Sequence, residues 1–234
     1  MINDITLRSD MTVDLLAHNG NDMDIANAAR VSVGDGRGGN PYEISGLINY
    51  LMKHRHGSPF EHGYLKFHVE CPIFVAREFM RHRAGWSYNE VSGRYSVLEP
   101  VFWVPTTTRG IVNEGTSARP RLEPDAFIAN QTIAQMQSFY EEAWEAYRLI
   151  LNGDVANEVA RAVLPVGIYT SFIASCNPRS LMHFLSLRIN HPDNQYDTYP
   201  QAEIQEVAEK MEKHFKAHWP LTWEAFNAHG RVSP

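Results

Sequence analysis

Residues Tyr64 to Glu70, "YLKFHVE", alternate, with Leu65, Phe67 and Val69 on one side and Lys66, His68 and Glu70 on the other. A period of two predicts a strand with one buried face. The pattern then changes. In "CPIFVAREFMRHR", Ile73, Phe74, Ala76, Phe79 and Met80 recur at helical spacing, Pro72 suits the first helical position, and Arg77 and Arg81 lie one turn apart on the polar side. Upstream, residues 22–31 and 44–53 read as short helices, and the Gly- and Pro-containing "HGSPFEHG" reads as a turn.

Downstream, Met136, Phe139, Tyr140, Ala143, Trp144, Tyr147 and Leu151 keep helical spacing within a stretch from Pro124 to Leu151 that Asn152-Gly153 closes. The aromatics of this helix are core candidates. A helix over 155–164 stops at Pro165, the β-rich "VGIYTSFIAS" follows, and a further helix starts at Pro178 and ends at about Asn190. A long amphipathic helix over 201–218 carries Ile204, Val207, Met211 and Phe215 on one side. Residues 101–120 lose their period after Pro105 and turn rich in Thr, Gly, Ser and Pro, which predicts a loop, either mobile beside a site or plain surface. Few strands and many helices, without an internal repeat, give an α+β fold.

Length and composition narrow this only slightly. A chain of 234 residues suits one domain or two tightly fused lobes around a substantial core, and we read residues 1–234 as a single domain. The 44% hydrophobic and 21% charged content is that of a globular protein. No apolar run approaches the roughly 18 residues that span a bilayer, and the N-terminus lacks a basic region followed by an apolar one, so the expectation is a cytoplasmic protein without a membrane partner. Cys71 and Cys176 stand far apart, which supports buried thiols and neither a disulfide framework nor a cysteine-based metal site. A formal charge of -6 argues against a nucleic-acid partner, which needs a wide basic surface.

Charge is nevertheless uneven. From Arg77 to Arg94, around "RHRAGWSYNEVSGRY", four arginines and one histidine face two glutamates, Glu78 and Glu90. A small basic patch on an acidic chain points to a small anionic ligand. Arg81, Arg83 and Arg94 suit a phosphate clamp, because the guanidinium fork matches phosphate oxygens; a solvated basic turn paired with Glu78 and Glu90 is the alternative. Arg161 and Arg188 sit on apolar-patterned helices, where Glu158 would pair with Arg161 and the helix C-terminus would suit Arg188. Ser92 lacks a nucleophile-elbow motif and reads as a hydrogen-bonding contact. His54, His56, Glu61 and His62 form a second polar cluster that would suit a metal-dependent nucleotide hydrolase, although Pro59 breaks helical ligand spacing. A nucleotide sensor without catalysis is a third reading of the basic patch.

"RHRAGWSYNEVSGRYS", with eight residues between Arg83 and Ser92, resembles the signature of the flavin-dependent thymidylate synthases. "HGSPFEH", "NEVARAVLP" and "CNPRSLMHFLSLR" resemble the family's other segments in the same order, so the likeness runs from Asn21 to about Phe226. The resemblance implies an FAD-containing homotetramer of α/β protomers, with helices packed on a mostly antiparallel sheet. It implies conversion of dUMP to dTMP with methylenetetrahydrofolate and NADPH, and no metal. Carried over by position, Ser58, Arg81, His82, Arg83, Glu90, Asn177, Pro178, Arg179 and His183 would meet FAD. Glu78, Phe79, Met80, Arg81, Glu90, Val91, Ser92, Gly93, Arg94, Arg161 and Arg188 would meet dUMP, with Arg188 as the catalytic residue. In the family these pieces come from different subunits. Two positions depart from the common pattern: Glu78 stands where glutamine is frequent and His183 where asparagine is frequent.

Overall fold

A computed structural model describes residues 5–34 and 39–234. In chain order the strands are β1 (Thr6–Arg8), β2 (Thr12–Asn19), β3 (Tyr64–Pro72), β4 (Trp86–Glu90), β5 (Val101–Trp103), β6 (Val112–Asn113), β7 (Leu122–Glu123) and β8 (Tyr169–Cys176). The helices are α1 (Asp22–Val31), α2 (Pro41–Lys53), α3 (Ile73–Phe79), α4 (Ala126–Asn152), α5 (Asn157–Ala160), α6 (Pro178–Arg188), α7 (Ala202–His218) and α8 (Pro220–Ala228). Helices and a mostly antiparallel sheet thus make up the mixed fold expected from the sequence. The chain divides into two compact units: one holds residues up to Met11, Glu70–Glu78 and Glu90–Phe172, and the other holds Thr12–Val69, Phe79–Asn89 and Ile173–Pro234.

In the first unit β1 pairs parallel with β5, with Leu7 opposite Phe102, and an isolated antiparallel bridge joins Phe102 to Ile168. The aromatic side of α4 covers this ribbon. Tyr140 stacks on Phe102 with ring centroids 4.6 Å apart, Trp144 meets Phe102 edge-on, and Tyr147 is fully buried. Tyr140 also donates a 2.9 Å bond to the Trp103 carbonyl. The α4 aromatics Tyr140, Trp144 and Tyr147 are core, as their spacing predicts; Phe139 is exposed.

A four-stranded sheet has the hydrogen-bonded order β2, β3, β8, β4. Leu65, Phe67 and Val69 of β3 are fully buried, as are Ile204, Val207, Met211 and Phe215 of α7, so both periodicities fall on the faces they predict. Local chemistry sets the helix starts. Asn21 and Asn40 each accept the backbone N–H three residues on, while Asp24 and Glu43 accept from the cap's own N–H, completing a capping box. With Pro41 preorganised behind that box, α2 begins three residues before the expected Ile44. The short α8, which the sequence did not announce, is capped from α1: the buried Asp22 carboxylate accepts from Leu221 N–H, Thr222 N–H and the Thr222 hydroxyl.

Several expectations are corrected. Pro72 ends β3 rather than starting a helix, because the first free N–H groups of α3, on Ile73 and Phe74, donate to the carbonyls of Ile168 and Val166. The expected helix through Arg83 stops at Phe79. There the Tyr88 hydroxyl bonds the His82 carbonyl at 2.7 Å and reaches that of Phe79, leaving Arg81, His82 and Arg83 in a turn. After that turn the chain runs extended only as β4; beyond it the Ser92 carbonyl accepts from Tyr95 and Ser96 in a further turn. The helix over 155–164 shrinks to α5 and a tight turn at Arg161–Val163, since Pro165 holds Leu164 in extended backbone. The stretch 101–120 contains β5 and part of the antiparallel β6–β7 hairpin, closed by Asn113 accepting from Gly115 and Arg121.

Candidate functional site

Each unit carries one cluster of the expected residues. In the second unit the site grows from the start of α6. Asn177 caps the helix by accepting from Ser180 N–H at 2.8 Å, and Pro178 occupies the first turn. Gly85 approaches this end with φ +70, and a Cβ there would overlap the Ser180 hydroxyl, so only glycine lets the two segments meet. Glu61, Gly85, Asn177, Arg179, Ser180 and His183 line a cavity of about 450 Å³. Arg179 is held in it by the Glu61 carboxylate and by the Pro234 carbonyl, 2.6 Å from its Nε. Ser58 lies elsewhere in the unit, in a second cavity of about 610 Å³ with Arg30, Tyr50 and His56.

The Arg81-His82-Arg83 turn has two characters. Arg81 and Arg83 are exposed and make no side-chain bond among the described residues. His82 is 6% exposed, its ring packed edge-on against Phe184 at 4.8 Å and near His183 at 5.8 Å. Its Nε2 accepts from Arg188 Nε at 3.1 Å, the last residue of α6. Burial lowers the His82 pKa to about 4, and electrostatic interaction with Arg188 and with His183 pushes the same way. The ring is therefore neutral at working pH, with its proton on Nδ1 because Nε2 is the acceptor.

In the first unit Glu90, Val91, Gly93 and Arg161 line a cavity of about 230 Å³ with Leu98, Tyr169 and Thr170. Gly93 is buried against the stem of Arg161, where a Cβ would lie 3.2 Å from Arg161 Cδ. Thr170, 6% exposed, donates a 2.6 Å bond to Glu90 Oε1, which fixes one carboxylate oxygen at the cavity wall. Tyr169 is held by the Asp10 carbonyl at 2.6 Å and by the Arg8 guanidinium over its ring. Ser92 and Arg94 adjoin the cavity in the turn, where Ser92 Oγ accepts from Arg94 N–H. Neither thiol is poised for attack: burial raises the pKa of Cys71 and of Cys176, and the Glu90 charge raises that of Cys71 further.

Other expected residues fall differently. Phe79 is fully buried against Trp86, Tyr88 and Phe184, so its side chain is core. Glu158 pairs with Arg94 at 3.0 Å, which corrects the expected pairing with Arg161; Arg161 is exposed. Glu78 and Met80 are half-buried, on either side of the α3 terminus. His54 and His56 pack against Tyr50 while Glu61 pairs with Arg179, and no group of metal-ligating side chains converges among the described residues. The hydrolase reading is therefore not supported. Among the described residues no helix is long and apolar enough to cross a membrane. Tyr169 and Thr170 were missed, since in the sequence they read only as strand positions.

The chain is similar along nearly its whole length to proteins of one family. Residues 14–221 match the family described as thymidylate synthase complementing protein. A flavin-dependent thymidylate synthase of Streptomyces avermitilis is 50% identical over 235 residues, covering 98% of this chain and 96% of that protein. One of Tropheryma whipplei is 40% identical over 231 residues, covering 97% and 96%. The crystal structure of a UMP/dUMP methylase, PolB of Streptomyces cacaoi bound with 5-bromo-dUMP, superposes with a TM-score of 0.94 at 45% identity, covering 98% of this chain and all of that one.

Proposed function

The chain belongs to the flavin-dependent thymidylate synthases, and from that membership we propose that it reductively methylates dUMP to dTMP. Methylenetetrahydrofolate supplies the carbon, NADPH the reducing equivalents and FAD the redox cofactor. What supports the reading in this molecule is that part of each expected set comes together: Asn177, Arg179 and His183 line the cavity at the start of α6, and Glu90, Val91, Gly93 and Arg161 line the cavity of the first unit.

The residues at α6 fit FAD. Asn177 and Ser180 offer polar groups, Arg179 a cation, and Arg81 and Arg83 two further exposed cations of the kind a pyrophosphate attracts. Gly85 keeps the floor free of a Cβ. Bound there, FAD would supply hydride-transfer chemistry, which no side chain provides.

The remaining work belongs to the protein. Glu90, fixed by Thr170, accepts from a sugar hydroxyl through its second oxygen, while Ser92, Arg94 and Arg161 take the phosphate. The exposed Arg94–Glu158 pair is worth less than about 1 kcal/mol, so a dianionic phosphate displaces Glu158 readily. Uracil C5 is a weak nucleophile. The Arg188 guanidinium beside N3 and O2 favours loss of the N3 proton to solvent, and the resulting anionic ring has raised electron density at C5 for attack on the folate methylene. Arg188 is too basic to serve as the proton acceptor itself. With both thiols buried and protonated, no cysteine adduct is invoked.

The two clusters serve one reaction in a cytoplasmic homotetramer whose subunits contribute different pieces, so residues 1–234 act as one functional domain and an isolated monomer is inactive. The test is dTMP formation, followed chromatographically, with each of FAD, NADPH and methylenetetrahydrofolate omitted in turn. Product should require all three and survive chelation; product formed without flavin would overturn the reading.

A further inference from the structure

We propose that His82 is a positioning residue for Arg188, its imidazole Nε2 accepting the Arg188 Nε–H so as to fix the plane in which the guanidinium meets the uracil ring. The proposal rests on the role given to Arg188 above and assigns His82 a task other than touching flavin.

Three observations carry it. The first is the 3.1 Å bond from Arg188 Nε to His82 Nε2, made between residues 106 positions apart in the chain. A guanidinium is planar, so one bond at Nε orients the direction of its terminal Nη1 and Nη2 edge. The second is that His82 is held on every side. Its carbonyl accepts from the Tyr88 hydroxyl at 2.7 Å, its N–H donates to the Phe79 carbonyl, and its ring rests edge-on against Phe184, itself packed on Phe79 and Trp86. A buried ring in that cage has little freedom left to lose, and it passes its rigidity to the long, flexible arginine.

The third is chemical. A carboxylate at the same place would orient Arg188 equally well, yet would offset the positive charge that the uracil anion needs. A neutral imidazole accepts the hydrogen bond and leaves that charge in place. The ring stays neutral chiefly because it is buried, and the Arg188 charge beside it acts in the same direction.

The experiment compares His82→Leu, which removes the acceptor, with His82→Gln, whose amide reaches about as far as Nε2. With flavin content and dUMP affinity measured alongside, His82→Leu should lower kcat about 100-fold, the usual scale for a misplaced catalytic group, and His82→Gln should restore much of it. A second readout needs no turnover. The N3 ionisation of bound 5-bromo-dUMP, followed by ultraviolet absorbance, should have a pKa about one unit lower in wild type and His82→Gln than in His82→Leu. Should the leucine variant fail to fold, His82→Asn, whose amide ends short of Nε2, replaces it. A flavin-replete His82→Leu with wild-type kcat and unshifted ionisation would overturn the proposal. Loss of flavin from both variants, with kcat per bound flavin unchanged, would also overturn it and make His82 a flavin ligand. If wild type makes no dTMP, the reading of the function fails, and the ionisation readout still decides the role of His82.

Discussion

Acidifying the flavin-free protein from about pH 7 to about pH 5 should destabilise it through His82 in particular, by about 2 kcal/mol. The imidazole takes a proton near 6.5 in the unfolded chain but only near 4 in the folded one, where burial first, and then interaction with Arg188 and His183, oppose it. Between those values the unfolded state binds more protons, so stability is constant above the upper value and falls as pH drops through the window. The full gap corresponds to on the order of 3 kcal/mol at its acid end, since each pKa unit is about 1.4 kcal/mol. Urea denaturation followed by tryptophan fluorescence, at one protein concentration, measures this for wild type and His82→Gln. His214, His218 and His229 are lowered as well, chiefly by burial, so the difference between the two proteins isolates His82. Equal pH slopes in the two proteins would refute the argument that His82 is buried in its neutral form.

Further substitutions separate the roles assigned to the two clusters. Arg188→Ala should reduce methylation by at least about 100-fold while the flavin spectrum and fold persist, and full activity would remove the account of uracil activation. Ser92→Ala should raise KM for dUMP about 10-fold and leave turnover, as expected of a lost hydrogen bond; a dead, well-folded variant that still binds dUMP would make Ser92 a nucleophile. Thr170→Val should likewise raise KM for dUMP about 10-fold with little change in kcat, and Thr170→Ser should rescue it, because only the hydroxyl donates to Glu90. A kcat defect at unchanged KM would show that Glu90 does more than bind.

How much of this was legible in the sequence depended on the range of the interaction. The strand at Leu65, Phe67 and Val69 and the helix at Ile204, Val207, Met211 and Phe215 follow from period alone, because burial reads the same residues that the period marks. The cation cluster showed as local charge, and the family motifs named its members. Contacts distant in sequence did not show. Nothing near Arg188 points to His82, and nothing near Thr170 points to Glu90, since both bonds exist only after folding. Local reasoning misassigned Glu158, whose partner Arg94 lies 64 positions away. It also carried α3 too far, because the Tyr88 hydroxyl that bonds the carbonyls after its last turn lies beyond the helical pattern.

The central claim is that flavin and dUMP chemistry meet in this protein, and the visible absorption spectrum tests it most directly. Purified protein loaded with FAD, kept free of oxygen, should bleach on addition of NADPH and bleach faster when dUMP is present. A protein that cannot be loaded with FAD, or whose flavin ignores both NADPH and dUMP, would contradict the account.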